Sequence, residues 1–433
     1  MIWMVALAQP LRIVIAGGFK KHGVVISMSD EEQPLPTGYQ LSALDPTYRE
    51  TPWVPLDRLR AADPVHHDQQ LGRYFLTRGR EVSELIKNRD LNADPRKANE
   101  GSFSKTLYGA NSKELSILML DDPEHKRQRT LVLKAFNKRS VDALLPRIEE
   151  IAKGLADDID AAEGEFDFVQ LFGSPLPTTV MAELLGINPA DRKDFRRWSL
   201  GCMQALNPFR TPEQTALYEE STTVLADYLA REVDIRRSKP SDDLITRLAQ
   251  AEEEGDSLTT QDIVLLIRLL LIAGNSTTTD MLGAGVVQLL KHPDQLAKFR
   301  ARPDLHDNAM DEILRVEPPV SQVLRSAHED MQVADKAIKK GDTIHMSLFG
   351  VHFDPEMNPD PQTFDIERKN VQHFAFGGGA HYCLGAGLGK AQAKIALPML
   401  FNRFPDLAFA PGREVKHKVA PAFNGYGEIW LVK

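Results

Sequence analysis

Only two cysteines occur in this 433-residue chain, and one of them, Cys383, sits inside the run HFAFGGGAHYCLGAG at positions 373–387. A single cysteine is commonly no more than a small apolar filler, and its neighbours decide whether it is more. Gly377, Gly378 and Gly379 free the backbone to fold tightly and to turn N–H groups toward one point. The stretch LGAGLGKAQAKIALPMLFNRF after Cys383 reads as a helix. The sulfur then lies near a helix N-terminus, where amide dipoles stabilise a thiolate able to bind a metal or attack an electrophile. Two other chemistries fail on spacing. A phosphate-binding loop requires Gly-Lys before Ser or Thr, but Gly389 and Lys390 are followed by Ala391. A dinucleotide fingerprint on Gly385 and Gly387 requires glycine where Lys390 stands.

A second polar cluster lies in an apolar setting. IVLLIRLLLIAGNSTTTDMLGAGVVQLLKH reads as one helix, entered through a capping-box-like Thr259 and Asp262. It has about thirty residues, roughly 45 Å of helix. A helix apolar on nearly all sides belongs at a protein's centre. Its middle carries Gly274, Asn275, Ser276 and three threonines. Such residues weaken a helix interior, the glycine by ~1 kcal/mol relative to alanine. The run is either a notch where another helix crosses or a place that admits a ligand, with a hydroxyl aimed into it.

The elements that must position these residues are mostly helical. LPTTVMAELLGI enters through Pro177 and closes at Gly186, EQTALYEESTTVLADYLAREVDIRRS is long and amphipathic, and SDDLITRLAQAEEEGD is shorter and capped by Ser241. Strand-like patterning is confined to HHDQQLGRYFLTRG, MQVADKAIKKGDTIHMSLFG and GEIWLVK. No repeat or long linker divides the chain, so the expectation is one large, mainly α domain with a small β portion. Hydrophobic residues make up 42% of the chain, enough for a large core. A net charge of −9 argues against bulk nucleic-acid binding. Two cysteines make no disulfide framework, which points to a reducing, cytoplasmic location. MIWMVALAQPLRIVIAGGFKK is apolar but broken by Gln9, Pro10 and Arg12, and no basic stretch precedes it. It is read as neither a membrane span nor a secretory signal, which leaves a weak membrane-surface anchor as the alternative to an upstream start. Residues 1–35 are read as an N-terminal extension, disordered or the product of an upstream start codon with the natural start near Met28, and residues 36–433 as the functional domain.

Phe376, Gly379, His381, Cys383 and Gly385 have the F-x-x-G-x-H-x-C-x-G form of a haem-binding loop, and from about Pro36 onward the chain resembles the bacterial soluble cytochrome P-450 monooxygenases. The resemblance implies the P-450 fold, a single large helical domain with its long central helix over haem b. It makes Cys383 the axial thiolate, a ligand that pushes electron density onto iron and favours O–O cleavage. The implied activity inserts one oxygen atom of O2 into a small apolar organic substrate.

Glu312 and Arg315 match the family's E-x-x-R pair. Three apart on a helix, they share one face, and Arg368 is the implied third partner. DDPEHKRQR resembles the family's D-P-P-E-H-x-x-x-R segment, with Asp122 where the first proline is usual. It puts His125 and Arg129 on one helix face, and the resemblance makes them, with Arg325 and His373, the contacts of the haem propionates. Arginine's fixed fork of donors suits carboxylates. His381 is a further group that reaches the same region.

AGNSTT aligns with the family's A-G-x-[DE]-T-T segment. Ala273 and Gly274 leave room for the cofactor, and Thr277 falls on the threonine that steadies oxygen and the waters delivering protons. Ser276 departs from the pattern, standing where an acid is usual. A serine relays a proton but cannot store one as a carboxylate does. Asp280, one turn later, is expected to face away from the haem, and the Ser276→Asp variant to couple oxygen use to product better.

Leu269, Leu270, Ala273, Val320 and Val323, with the segment around Phe103 to Tyr108, are the pocket positions the resemblance suggests. Nothing in the chain looks like a flavin or iron–sulfur module, so NAD(P)H electrons are expected through a ferredoxin reductase and a ferredoxin. The ferredoxin would be steered by Lys126, Arg127, Lys134, Lys138, Arg139, Lys390 and Lys394. Two rival readings remain: a thiolate-haem protein that runs on peroxide or senses a ligand, and a cysteine hydrolase using Cys383 and a histidine.

Overall fold

Thr259 and Asp262 satisfy each other's backbone N–H at 3.1 and 3.0 Å, and this reciprocal cap starts the central helix, Thr260–Lys291. It is one continuous α-helix of 32 residues through the whole polar run. The computed structural model describes residues 34–109, 115–206, 210–253 and 255–433; the extension read over residues 1–35 lies almost wholly outside them.

The notch is real but lies a turn or two beyond the polar run. A Cβ on Gly285 would lie 2.5 Å from Leu397, and one on Gly283 3.1 Å from Ile429. At Gly274 only Met181 comes within 4 Å. Asn275 and Thr279 bond outward instead, to Thr178 at 2.6 Å and to the carbonyl of Gly173 at 3.2 Å, fixing the helix against Pro175–Leu184 and the turn before it. Among the described residues this helix alone is long and apolar enough to cross a membrane. Its apolar surface is used in the core, against Pro175–Leu184, Arg192–Met203, Pro212–Ser238, His306–Val316 and Ala386–Arg403.

The long helix expected there runs Pro212–Ser238, and a reciprocal cap between Thr211 and Gln214 starts it. The next helix differs from expectation. Its cap is Asp243, whose carboxylate accepts from Thr246 N at 2.7 Å, and the helix is only Leu244–Ala249. The expected cap, Ser241, instead donates its backbone N–H to Thr246 Oγ1. The acidic tail leaves the helix as the hairpin Glu252–Glu253 with Asp256–Ser257, Gly255 turning at φ +82°.

A five-stranded sheet forms the smaller layer. Its order is Val65–Asp68, Arg73–Leu76, Thr343–Ser347, Gln322–Ala327 and Leu91–Asn92. All pairings are antiparallel except Arg73–Leu76 with Thr343–Ser347. Gln322–Ala327 was not legible as a strand, because QVLRSA neither alternates nor carries turn residues at its ends. It delivers Val323 and Arg325 to the site.

Candidate active site

Cys383 sits at the close of a tight loop. Its N–H donates to the Phe376 carbonyl at 2.9 Å, and Gly377 N to the Phe374 carbonyl at 2.7 Å. Gly379 holds φ +60° in close approach to another segment, where a Cβ would lie 2.9 Å from Lys87 Cα. The helix Ala386–Arg403 follows, and the backbone amides of Gly385 and Ala386 favour the charged form of the Cys383 sulfur. Solvent reaches Cys383, yet protein surrounds it on most sides. That burial pushes the thiol up, and the Gly385 amide and Arg129 offset it only partly. A thiolate here needs a cation on its open side, which is what a coordinating metal supplies.

Among the described residues no carboxylate hydrogen-bonds to the two arginines beside this loop, although Asp122 Oδ1 lies 3.5 Å from His125 Nδ1. Burial pushes the Arg325 guanidinium down to about 10, and Asp121 opposes it weakly from a distance. Asp121 is itself held by Lys97 at 2.8 Å and Ala93 N at 2.6 Å. Arg325 and Arg129 hydrogen-bond only to carbonyls, Leu324 O at 2.7 Å and Tyr382 O at 2.5 Å. His125 is buried and its Nε2 has no partner. This donor-rich cluster, whose two arginines hydrogen-bond to no carboxylate, fits the two propionates of haem b.

The cluster's fourth member is His381. It stacks on His125 with centroids 4.0 Å apart, and burial, then Arg325, His125 and Arg129, push it down to about 3. His373, which the resemblance put among these contacts, is elsewhere engaged. Its Nε2 meets Asp311 Oδ1 at 3.1 Å and its Nδ1 accepts from Ala375 N at 3.3 Å. Both ring nitrogens are taken because Asp311, on the helix His306–Val316, lies beneath the start of the loop.

The E-x-x-R pair is buried and saturated. Both side chains are fully buried, with Arg315 bidentate on Glu312 at 2.7 and 2.8 Å. Arg315 also donates to the carbonyls of His352, Pro361 and Thr363. Arg368 Nε reaches both oxygens of Glu312 at 3.1 and 3.2 Å, and Asp365 N donates to Oε1 at 3.0 Å. The segment leading into the cysteine loop is thereby tied to the helix.

The central helix is packed beside the cysteine helix at Gly389, whose Cβ position lies 3.7 Å from Thr278 and 3.9 Å from Met281. In its middle, Ala273 is exposed and Thr277, one turn on, half-buried. Thr277 Oγ1 donates to the Ala273 carbonyl at 2.5 Å, so the hydroxyl offers its lone pairs as acceptors. Leu269, Leu270, Val320 and Val323 are likewise half-buried. Phe103 instead lies on Arg73, with the guanidinium 4.6 Å from the ring centroid.

Ser276 and Asp280 are on the buried side. Asp280 meets Lys418 Nζ at 2.8 and 2.6 Å, with Ser276 one turn back on the same helix. Lys418 gave no signal in the sequence, since only the chain's long return brings it there. The basic residues of the expected docking face are mostly paired. Lys390 binds Asp311 and Lys394 binds Asp307, each at 2.7 Å, Lys138 binds Asp142 at 2.5 Å, and Arg127 binds Glu124 at 2.8 Å. Lys134 donates to the Glu252 carbonyl at 2.6 Å. A hydrolase is disfavoured: its nucleophile needs a lowered thiol and a basic histidine, whereas Cys383 is raised and His381 strongly lowered.

Comparison with known proteins agrees with this geometry. The cytochrome P-450 family model matches residues 88–422. The cytochrome P-450 monooxygenase PikC of Streptomyces venezuelae is 36% identical over 390 residues, covering 88% of this chain and 91% of that protein. The 6-deoxyerythronolide B hydroxylase of Saccharopolyspora erythraea is 33% identical over 364 residues, 81% and 88% of the two chains. The crystal structure of CYP109E1 from Bacillus megaterium in complex with corticosterone superposes with a TM-score of 0.81 at 30% identity, covering 89% of this chain and 99% of that one. A helical domain built around a cysteine loop, a cluster of arginines and histidines and an accessible stretch of its central helix therefore belongs to the cytochrome P-450 family, and the chain is a haem-thiolate monooxygenase.

Proposed function

We propose that Cys383 is the residue that gives this monooxygenase its axial thiolate, with Arg129, Arg325, His125 and His381 on the propionates of haem b. The observation that carries the assignment is the sulfur just before the N-terminus of the cysteine helix, beside two arginines that hydrogen-bond to no carboxylate. Bound there, haem b supplies the chemistry that activates O2 and places one oxygen atom in a C–H bond. The chain's own contributions are separable. The Gly385 and Ala386 amides hold the sulfur and moderate its charge. Thr277, its proton committed to the Ala273 carbonyl, accepts a hydrogen bond from a cleft water and fixes where that water can pass a proton. Ala273 keeps space open, while Leu269, Leu270, Val320 and Val323 exclude bulk water and hold an apolar substrate.

The substrate class is a largely apolar organic molecule held by shape, of the kind corticosterone represents in the CYP109E1 complex. Electrons come from a separate redox partner, which we take to be a ferredoxin served by an NAD(P)H-dependent reductase, in the cytoplasm. Because most basic residues of the expected face are paired, Lys126 and Arg139, with exposed Leu133 and Tyr382, carry the docking. The test is a spin-state titration of the haem-loaded protein with corticosterone and a panel of apolar compounds, repeated on Ala273→Phe. The reading predicts a shift that this variant abolishes while retaining its haem. A shift unaffected by the variant would remove Ala273 from the pocket.

A further inference from the structure

We propose that Arg268 binds a carboxylate of the substrate, so that this enzyme selects apolar molecules that carry an acid group at one end. The inference rests on the monooxygenase reading and adds one charge to the pocket described there. Four charged residues lie on the central helix: Asp262, Arg268, Asp280 and Lys291. Asp262 caps the first turn and meets Arg127 at 3.4 Å. Asp280 is held by Lys418 at 2.6 Å. Lys291 ends the helix, where the carbonyl dipoles favour a cation. Arg268 has no such role. Among the described residues it makes no hydrogen bond or ion pair, and its Nε is buried without an acceptor.

Its place on the helix is set by the pattern of burial. Leu265, Arg268, Leu269 and Ile272 fall at i, i+3, i+4 and i+7, on one face, and all are half-buried. Ile263, Val264, Leu266, Ile267 and Leu271 are instead no more than 4% exposed. The open face holds the pocket residue Leu269 and runs on to the exposed Ala273. The helix Arg192–Met203 packs against the central helix. Its buried Cys202 is close enough that Arg268 pulls the thiol down against the effect of burial. Thr277 is nine residues further on, about 13.5 Å along the axis.

A guanidinium partly out of water with no acceptor costs stability, and such a local inconsistency is characteristic of functional sites. A ligand carboxylate removes the cost, because it accepts two parallel N–H bonds from the planar fork. Leu265, Leu269 and Ile272 offer the rest of the ligand only apolar surface, and the face carries no second cation. The match is to a monocarboxylate with an apolar body, not to a polyanion. With its acid held at Arg268, such a molecule extends along the helix toward Thr277, so the carbon oxidised lies many bonds from the carboxylate.

The alternative is that Arg268 only packs its stem between the two helices. Equilibrium dialysis of the haem-loaded protein at neutral pH separates the two, using dodecanoic acid and lithocholic acid, each against its methyl ester. At least one acid should bind about tenfold or more tightly than its ester, the effect of a hydrogen bond to a charged group. Arg268→Gln should abolish that advantage and Arg268→Lys restore part of it, whereas Ala273→Phe should weaken acid and ester alike. Without ligand, Arg268→Leu should melt at or above the wild-type temperature, since an unpaired cation has gone; a packing role predicts a lower one. Two acids that bind no better than their esters, or an advantage that survives in Arg268→Gln, would overturn the proposal. Should Arg268→Gln fail to fold, the wild-type ratio of acid to ester binding and its change in Arg268→Lys decide. Dialysis does not read the haem, so absence of a thiolate-type ferrous–CO spectrum in the wild type would sink the monooxygenase reading and leave the acid preference standing.

Discussion

The imidazole of His125 lies on that of His381, ring centroids 4.0 Å apart and planes 26° from parallel. One ring comes from the helix Glu124–Ala135, the other from the cysteine loop, and Arg129 spans the same gap to the Tyr382 carbonyl. Two neutral rings can stack in this way only because the neighbouring arginines and burial keep both from charging.

The cationic cluster should therefore hold the cofactor by its propionates. Arg129→Gln and Arg325→Gln are each expected to release haem to apomyoglobin about tenfold faster or more, since a hydrogen bond to a charged group contributes roughly 1.5–3 kcal/mol. His373→Phe should leave that rate unchanged, because His373 is bound to Asp311. Equal haem loss from all three variants would contradict this division.

Glu312→Ala leaves Arg315 and Arg368 facing each other in a buried site with no acid between them. Removing one member of a buried pair costs about 3–5 kcal/mol. The melting temperature and soluble yield should drop steeply, with haem content falling in parallel. A variant that melts near the wild-type temperature would show the pair to be dispensable.

Glu317 links three parts of the chain, accepting from Gln288, Asn424 and Tyr426 and meeting His417 at 3.2 Å. Despite burial, His417 and these donors bring Glu317 down to about 2; Glu317 and Glu50 bring His417 up to about 9. The raised histidine contributes stability that is complete below its unfolded pKa of about 6.5 and is lost as pH rises through about 9. The lowered carboxylate contributes stability present above about 4.3 and lost as pH falls through about 2. Melting temperature against pH should fall on both flanks, and His417→Ala should remove the alkaline flank. An alkaline flank that persists in that variant would assign it to another group.

Restoring the usual acid with Ser276→Asp looks from the sequence like a gain. Beside Asp280 it puts two carboxylates on one lysine, and like charges that close force one to stay protonated. The expected outcome is a lower melting temperature and no fall in peroxide released per NADPH. A clear fall would contradict this.

The sequence made the cysteine loop, the central helix and the Glu312–Arg315–Arg368 set legible because each rests on spacing within one element or on a dense motif. What it concealed was pairing across the chain. His373 and His381 are equally plausible as letters, and only Asp311 beneath one of them decides between them. Asp280 reads as a residue facing away from the haem, but its partner there, Lys418, lies far along the chain and gives no local signal. Gln322–Ala327 becomes a strand because Thr343–Ser347 offers it a partner, with no period of its own to announce it.

The most direct test of the central assignment is the ferrous–CO difference spectrum of three proteins: wild type, Cys202→Ser and Cys383→Ser. Cys202 is buried against Thr222 and away from the loop. The account predicts the long-wavelength band of a thiolate ligand in the first two and its loss in the third. The same band surviving in Cys383→Ser would contradict it.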